Sequence, residues 1–307
     1  MYFKTALSVV LLAFFYMIPG YVTAKIGKAK AEHLPTLSGI LLYIGTPFLV
    51  ISSFLSLPYS KEGLAKMAQF FLLTFVIQTV FFLSVFLLSG GAKKEANRMI
   101  AMGATCGNVG FFGIPIVRAL FPDSPEVACY AVCFTLSMNL LVFTLGVFCL
   151  TGEKKYVSVK HAVCNPSVFG LVIGLPLYLL GWGGRLPELL TSGIHTLGGL
   201  TTPLCMFILG IRLAATKPKE LLCDRTVYLV SALKLVAFPL FCLMVGRLCS
   251  PDAAFYGSLV ILAATPCAAI ILSLAEIYHS RERTSASCIL LSMLLCVITI
   301  PLMALTL

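Results

Sequence analysis

The sequence predicts an all-α membrane protein of ten transmembrane helices, arranged as two five-helix repeats of opposite orientation. Three observations carry this expectation. The 307-residue chain is 59% apolar and 11% charged, with a mean hydropathy of +1.01, whereas soluble domains run near 45–50% apolar and about 25% charged. Apolar runs recur along its whole length, each close to the roughly 20 residues that a helix needs to cross the hydrocarbon core. Helix-breaking residues in the second half also repeat those of the first at a nearly constant offset.

The elements follow in order. Residues 3–24 form the first apolar run. Lys4 near its start and Val22-Thr23-Ala24 near its end resemble a signal peptide, but the charged leader is weak. The run also exceeds the usual 7–15 residues of a signal core, so it reads as a span. Runs 36–57, 67–89, 99–121 and 127–150 complete a first repeat, residues 1–150. The longest polar connection, with Glu153, Lys154, Lys155 and Lys160, makes residues 151–162 a linker. Runs 163–182, 189–211, 226–245, 253–278 and 284–305 then form the second repeat, residues 163–307. An odd number of spans per half inverts the second copy relative to the first.

Charge gives the expected orientation. With the N-terminus outside, fifteen Lys and Arg fall in cytoplasmic connections, among them Lys25, Lys28, Lys30, Lys93, Lys94, Arg98, Lys154, Lys155 and Lys219. Five fall outside, namely Lys4, Lys61, Lys66, Arg185 and Arg247, while Arg118 and Lys234 lie within spans. This is a positive-inside pattern and puts both termini outside, with the linker in the cytoplasm. Tyr21, Tyr59, Tyr156, Trp182 and Tyr278 lie near span ends, where an interfacial belt would hold them.

Composition excludes several classes of function. The spans leave no room for a soluble domain of about 100 residues. The net charge of +10 sits singly or in pairs between apolar runs, which argues against a nucleic-acid partner. The twelve cysteines are scattered without a Cys-x-x-Cys pair and read as reduced interior residues, with no metal site or cofactor implied. There is no Ser/His/Asp set within the spans, no His-Glu-x-x-His and no intramembrane acidic pair, so no enzyme activity is expected.

The chemistry-bearing positions are the interruptions. Span four carries Gly107-Asn108-Val109-Gly110-Phe111-Phe112-Gly113-Ile114-Pro115. Proline removes a backbone donor and glycine offers little resistance to unwinding. A break at membrane depth is tolerated only where protein buries it or water reaches it, so it implies a cavity or a binding site. The glycine spacing alone would also suit close helix packing. Span nine carries Ala264-Thr265-Pro266-Cys267, at an offset of 157 from Gly107-Asn108-Val109. Span two carries Ile44-Gly45-Thr46-Pro47 and span seven Leu200-Thr201-Thr202-Pro203, at an offset of 156. Paired interruptions in corresponding places of two inverted halves point to a substrate site.

Asn108 and Asn139 are polar groups at depth that need partners. Lys234, about nine residues into span eight, either snorkels to the interface or needs a carboxylate, carbonyl dipoles or an anionic ligand. Glu276, near one end of span nine, is the candidate for that carboxylate or for a titrating proton carrier, and otherwise an interfacial group. Arg118 is a further coupling candidate, or an interfacial anchor.

These residues resemble the auxin efflux carrier family of secondary transporters, which includes bacterial malonate and malate carriers. The strongest pieces are Asn108 through Pro115, similar to the family's Asn-x-Gly-x-x-Gly-x-Pro segment, and the stretch from Pro203 to Gly210. The stretch from Lys234 to Pro239, and Thr265-Pro266 followed by Leu274-Ala275-Glu276-Ile277-Tyr278, add to it. The resemblance covers essentially the whole chain. It implies the fold shared with bile acid transporters, in which helices one, two, six and seven form a scaffold that dimerises, through helices two and seven, and the others form a mobile domain. It also implies that broken helices four and nine cross and receive an anionic substrate there.

Carried onto this chain, the resemblance places Asn108, Val109, Gly110, Gly113 and Pro115 with Thr265, Pro266 and Cys267 at the site. Asn139 and Lys234 are expected to add to it. The expectation is thus a carrier of a small mono- or dicarboxylate in the plasma (inner) membrane, working by elevator-like alternating access. Coupling to protons, to sodium or to the membrane potential alone stays open, as do a sodium-coupled symporter of the bile acid type and an anion channel.

Overall fold

The computed structural model describes residues 1–91, 95–152, 160, 164–217, 224–249 and 252–307. Most of the predicted linker, including Glu153, Lys154, Lys155 and Tyr156, lies outside the described residues, as do Lys93, Lys94 and Lys219. Among the described residues there is helix and no strand.

Among the described residues, twelve helical stretches of at least 8 residues can be numbered in order. They are α1 (Tyr2–Lys25), α2 (Ala31–Leu55), α3 (Lys61–Leu88), α4 (Glu95–Thr105), α5 (Val109–Leu120) and α6 (Val127–Cys149). After the linker come α7 (Pro166–Leu179), α8 (Glu188–Ala215), α9 (Arg225–Cys249), α10 (Ala253–Ala263), α11 (Ile270–Ile277) and α12 (Glu282–Ala304). Seven of these, α1, α2, α3, α6, α8, α9 and α12, are long and apolar enough to cross a bilayer, so the chain is a multi-pass membrane protein. The shorter apolar helices are α5, α7 and α10.

The predicted spans and the helices differ where the backbone is interrupted. Span 99–121 is two helices, α4 and α5, and span 253–278 is α10 and α11. Span 163–182 contracts to Pro166–Leu179, because Asn165 caps the helix by accepting from the amides of Ser167 and Val168, and Pro166 takes the first helical position. The predicted interruption at Thr202-Pro203 is slight. The chain loses regular helix only at Leu200, and α8 continues from Thr201.

Large side chains such as Phe15, Leu72, Phe169, Leu189 and Ile298 are exposed on the outer faces of these helices. In water such a surface would aggregate; facing lipid it costs nothing, and the helices instead associate by close packing and internal hydrogen bonds. Helix α1 lies along the second half of α8, where a Cβ at Gly20 would run into the Phe207 carbonyl and one at Gly210 into that of Met17. Helix α2 packs on α7 and on the first half of α8. The remaining helices pack mainly on one another, α3 on α6 and α4, α9 on α4, α10 and α12, and α10 on α6, while α1 also lies against α12 and α5. Rings of Phe70, Tyr130 and Phe255 tie α3, α6 and α10 together, Phe70 and Tyr130 stacked at 4.6 Å. Nearby, Gln78 donates to Ser137 at 2.8 Å and Thr74 shares a hydrogen bond with it.

Candidate functional site

Four half-helices meet at the two interruptions. Helices α4 and α10 end there with their C-termini; α5 and α11 start there with their N-termini. Between each pair the chain is extended for a few residues, and the two extended pieces pair as one rung of an antiparallel ladder, Gly107 opposite Cys267. The Asn108 amide donates to the Pro266 carbonyl at 2.8 Å and the Ala268 amide to the Cys106 carbonyl at 3.1 Å. The broken backbone is thereby partly satisfied by its counterpart, as the interior of a membrane protein requires. The Cys267 amide is taken by Ser292 of α12 at 2.9 Å.

The crossing has two unlike faces. On one, the half-helix N-termini border a cavity of ≈ 140 Å³. This is well below the roughly 300–1,000 Å³ of sites for drug-sized ligands, and it suits a compact solute. Gly107, Asn108, Val109, Gly110 and Phe111 line it from one break and Ala268, Ala269 and Ile270 from the other. Among the described residues its wall holds no ionisable group, and its side-chain polarity comes from Thr46, Thr135, Asn139, Asn108, Asn165 and Ser167.

The donors along this wall matter more than its side chains. The Phe112 and Gly113 amides return to the Asn108 carbonyl, and those of Ile271 and Leu272 to Ala268 and Ala269. The amides of Gly110 and Phe111, and of Ala269 and Ile270, find no acceptor among the described residues. Two orphan N–H groups at each of two helix N-termini thus border one small cavity. Asn139 is 7% exposed and its carboxamide has no hydrogen-bond partner among the described residues. Asn108, equally buried, donates weakly to the Cys205 thiol at 3.5 Å.

On the opposite face the half-helix C-termini meet Lys234. It sits in a π-helical turn, Leu233–Ala237, and is wholly buried. Its ammonium donates to the Ala263 carbonyl at 2.6 Å, lies 4.9 Å from the centre of the Phe238 ring and abuts Gly107. It therefore does not snorkel. Glu276, expected as a partner for it, instead pairs with Arg212 of α8 at 3.2 Å and is half exposed. Arg118 is exposed near the end of α5.

Of the expected site residues, Asn108, Val109, Gly110 and Asn139 line the cavity, whereas Thr265, Pro266 and Cys267 build the crossing behind it and Gly113, Pro115 and Lys234 do not border it. Gly113 is a packing position, since a Cβ there would fall 2.7 Å from Leu262. Thr46 lines the cavity, and Thr202 donates to the Phe111 carbonyl at 2.7 Å, so both Thr-Pro pairs touch the site from α2 and α8. Sequence reasoning missed Asn165 and Ala268 through Ile270. An asparagine directly before a proline is a helix-start signal that could have found the first.

A family profile described as "membrane transport protein" matches residues 5–304. The chain belongs to the auxin efflux carrier family. Relatives in this family include an uncharacterized transporter of Methanothermobacter thermautotrophicus, 24% identical over 97% of this chain and 96% of that one. One of Methanocaldococcus jannaschii is 27% identical over 70% of each chain. Another, of Escherichia coli, is 24% identical over 74% of each chain. This auxin efflux carrier family member is therefore a membrane transporter, and the interruption between α4 and α5 falls in the Asn-x-Gly-x-x-Gly-x-Pro segment that carries the resemblance.

Proposed function

We propose that this protein is a secondary carrier for a small organic anion, a mono- or dicarboxylate, which binds in the cavity beside the crossing. The observation that carries this reading is the set of donors there that find no acceptor among the described residues: the amides of Gly110, Phe111, Ala269 and Ile270 and the carboxamide of Asn139. Helix N-termini carry partial positive charge and present N–H groups outward, so they favour a carboxylate over a neutral or cationic group. The donors are neutral and fixed, so the anion is held without a salt bridge that would slow its release.

The packing of α1 on α8 and of α2 on α7 and α8 supports an elevator-like cycle, with α1 also lying against α12 and α5 where the two sets meet. Helices α1, α2, α7 and α8 form the scaffold, and the crossing moves with α3, α6, α9 and α12. The paired interruptions, at offsets of 156 and 157, fit ten membrane crossings in two inverted repeats, with α4–α5 and α10–α11 each making one crossing. In this reading the protein is a homodimer through α2 and α8, in the plasma membrane with both termini outside.

Counterflow tests it. Proteoliposomes preloaded with unlabelled carboxylate should accumulate labelled carboxylate transiently above equilibrium, and saturably. Flux that never saturates and shows no counterflow would mean a channel, and binding without any flux would mean a receptor.

A further inference from the structure

The anion reading leaves Lys234 unexplained. It is a wholly buried ammonium that does not border the cavity, and no carboxylate among the described residues pairs with it. An intramembrane charge is costly and calls for something of opposite sign. Its surroundings supply dipoles. The Ala263 carbonyl, at 2.6 Å, belongs to the last residue of α10, and Gly107 follows closely on the end of α4. Both are helix C-terminal ends, where cations are favoured.

Such ends are also where interrupted-helix carriers bind a coupling ion, since carbonyls freed by unwinding replace its water shell. Space is kept for the ammonium by a missing side chain. A Cβ at Gly107 would fall 2.8 Å from Lys234 Nζ and 2.5 Å from Thr265 Oγ1, so Gly107, Thr265 and Ala263 together frame a pocket for one cationic head.

We infer that the Lys234 ammonium is a tethered cation filling a monovalent-cation site at the C-terminal face of the crossing, and that removing it opens that site to sodium. The inference rests on the carrier reading for the role of the crossing and deepens it in one respect: the positive charge opposite the anion is supplied by the protein, and sodium is not required. Anion donors and tethered cation sit on opposite faces of the same pair of backbone hydrogen bonds, so they move as one piece.

The test is thermal unfolding of the purified protein without carboxylate, in sodium, potassium or choline chloride at equal ionic strength. The wild type is expected to unfold at one temperature in all three salts. Lys234→Met and Lys234→Gln are expected to unfold lower in choline and to regain several degrees, saturably, in sodium. A wild type stabilised by sodium over choline overturns the inference, as do variants indifferent to the cation. If neither variant can be purified, the wild type still decides. Carboxylate affinity equal in sodium and choline supports the tethered cation, and affinity severalfold higher in sodium overturns it. A failure to bind any carboxylate would strike the carrier reading alone, because the unfolding comparison uses none.

Discussion

The amide of Asn108 donates to the carbonyl of Pro266 at 2.8 Å, across two helices separated by more than half the chain. Pro266 has no N–H to give, so its carbonyl is what it contributes at the break, and Asn108 takes it. That single bond sets the register of the crossing. It leaves the next amides along each half-helix, at Gly110 and Phe111 and at Ala269 and Ile270, bordering the cavity without acceptors among the described residues.

Asn108→Ala and Asn139→Ala should each weaken carboxylate binding about tenfold, near 1.4 kcal/mol, the worth of one hydrogen bond to a charged group. Unfolding temperature should hold nearly constant, because neither side chain has a strong partner among the described residues. Titration calorimetry on both variants checks this. Unchanged affinity with a lowered unfolding temperature would assign both residues to helix packing.

Gly107→Ala should lose transport and cost about 1–3 kcal/mol of stability, the usual range for overpacking a close-fitted interior. The added methyl would meet Thr265 and Lys234, and neither can retreat without breaking its own hydrogen bond. Gly184→Ala, between α7 and α8, where nothing lies within 4 Å, is the control and should change neither flux nor unfolding temperature.

Asp224 predicts an acid limit to stability. Partial burial works to raise its carboxyl, but the Thr226 amide at 2.8 Å, Thr284 at 3.1 Å and the Arg281 guanidinium outweigh it and hold the group below its ordinary value. A carboxyl depressed in the folded state contributes stability above its unfolded value of about 3.9, and this is lost as pH falls through the folded value. Wild type should therefore lose stability below about pH 4 more steeply than Asp224→Asn, which keeps the helix cap and removes the charge. Unfolding temperature measured from pH 3 to pH 7 for both, starting from about neutral, checks the slope.

Glu276→Gln should change stability by less than about 1 kcal/mol, since its pair with Arg212 is partly exposed. The pH dependence of transport should be unaffected, because Glu276 neither lines the cavity nor reaches Lys234. A flattened pH profile in the variant would restore it as a proton carrier.

The interruptions were legible in the sequence because glycine and proline act locally: Gly107 through Pro115 and Thr265-Pro266 announce unwound backbone whatever surrounds them. Asn108 and Asn139 were legible as polar groups at depth. What surrounds Lys234 was not, since its carbonyl partner is Ala263, whose side chain carries no signal and whose accepting oxygen is free only because α10 stops there. The same holds for the orphan amides, which are properties of where helices begin and carry no residue-type signature. The pairing of Glu276 with Arg212 depends on how α11 lies against α8, and spacing along the chain does not reveal it.

The most direct measurement is a thermal-shift series on the wild type with small mono- and dicarboxylates against amines and amides of matched size. Saturable stabilisation by carboxylates and none by the matched amines is the predicted result, because a ligand that binds the folded state raises its apparent stability. Equal stabilisation by amines, or none by any carboxylate, would contradict an anion site at the crossing.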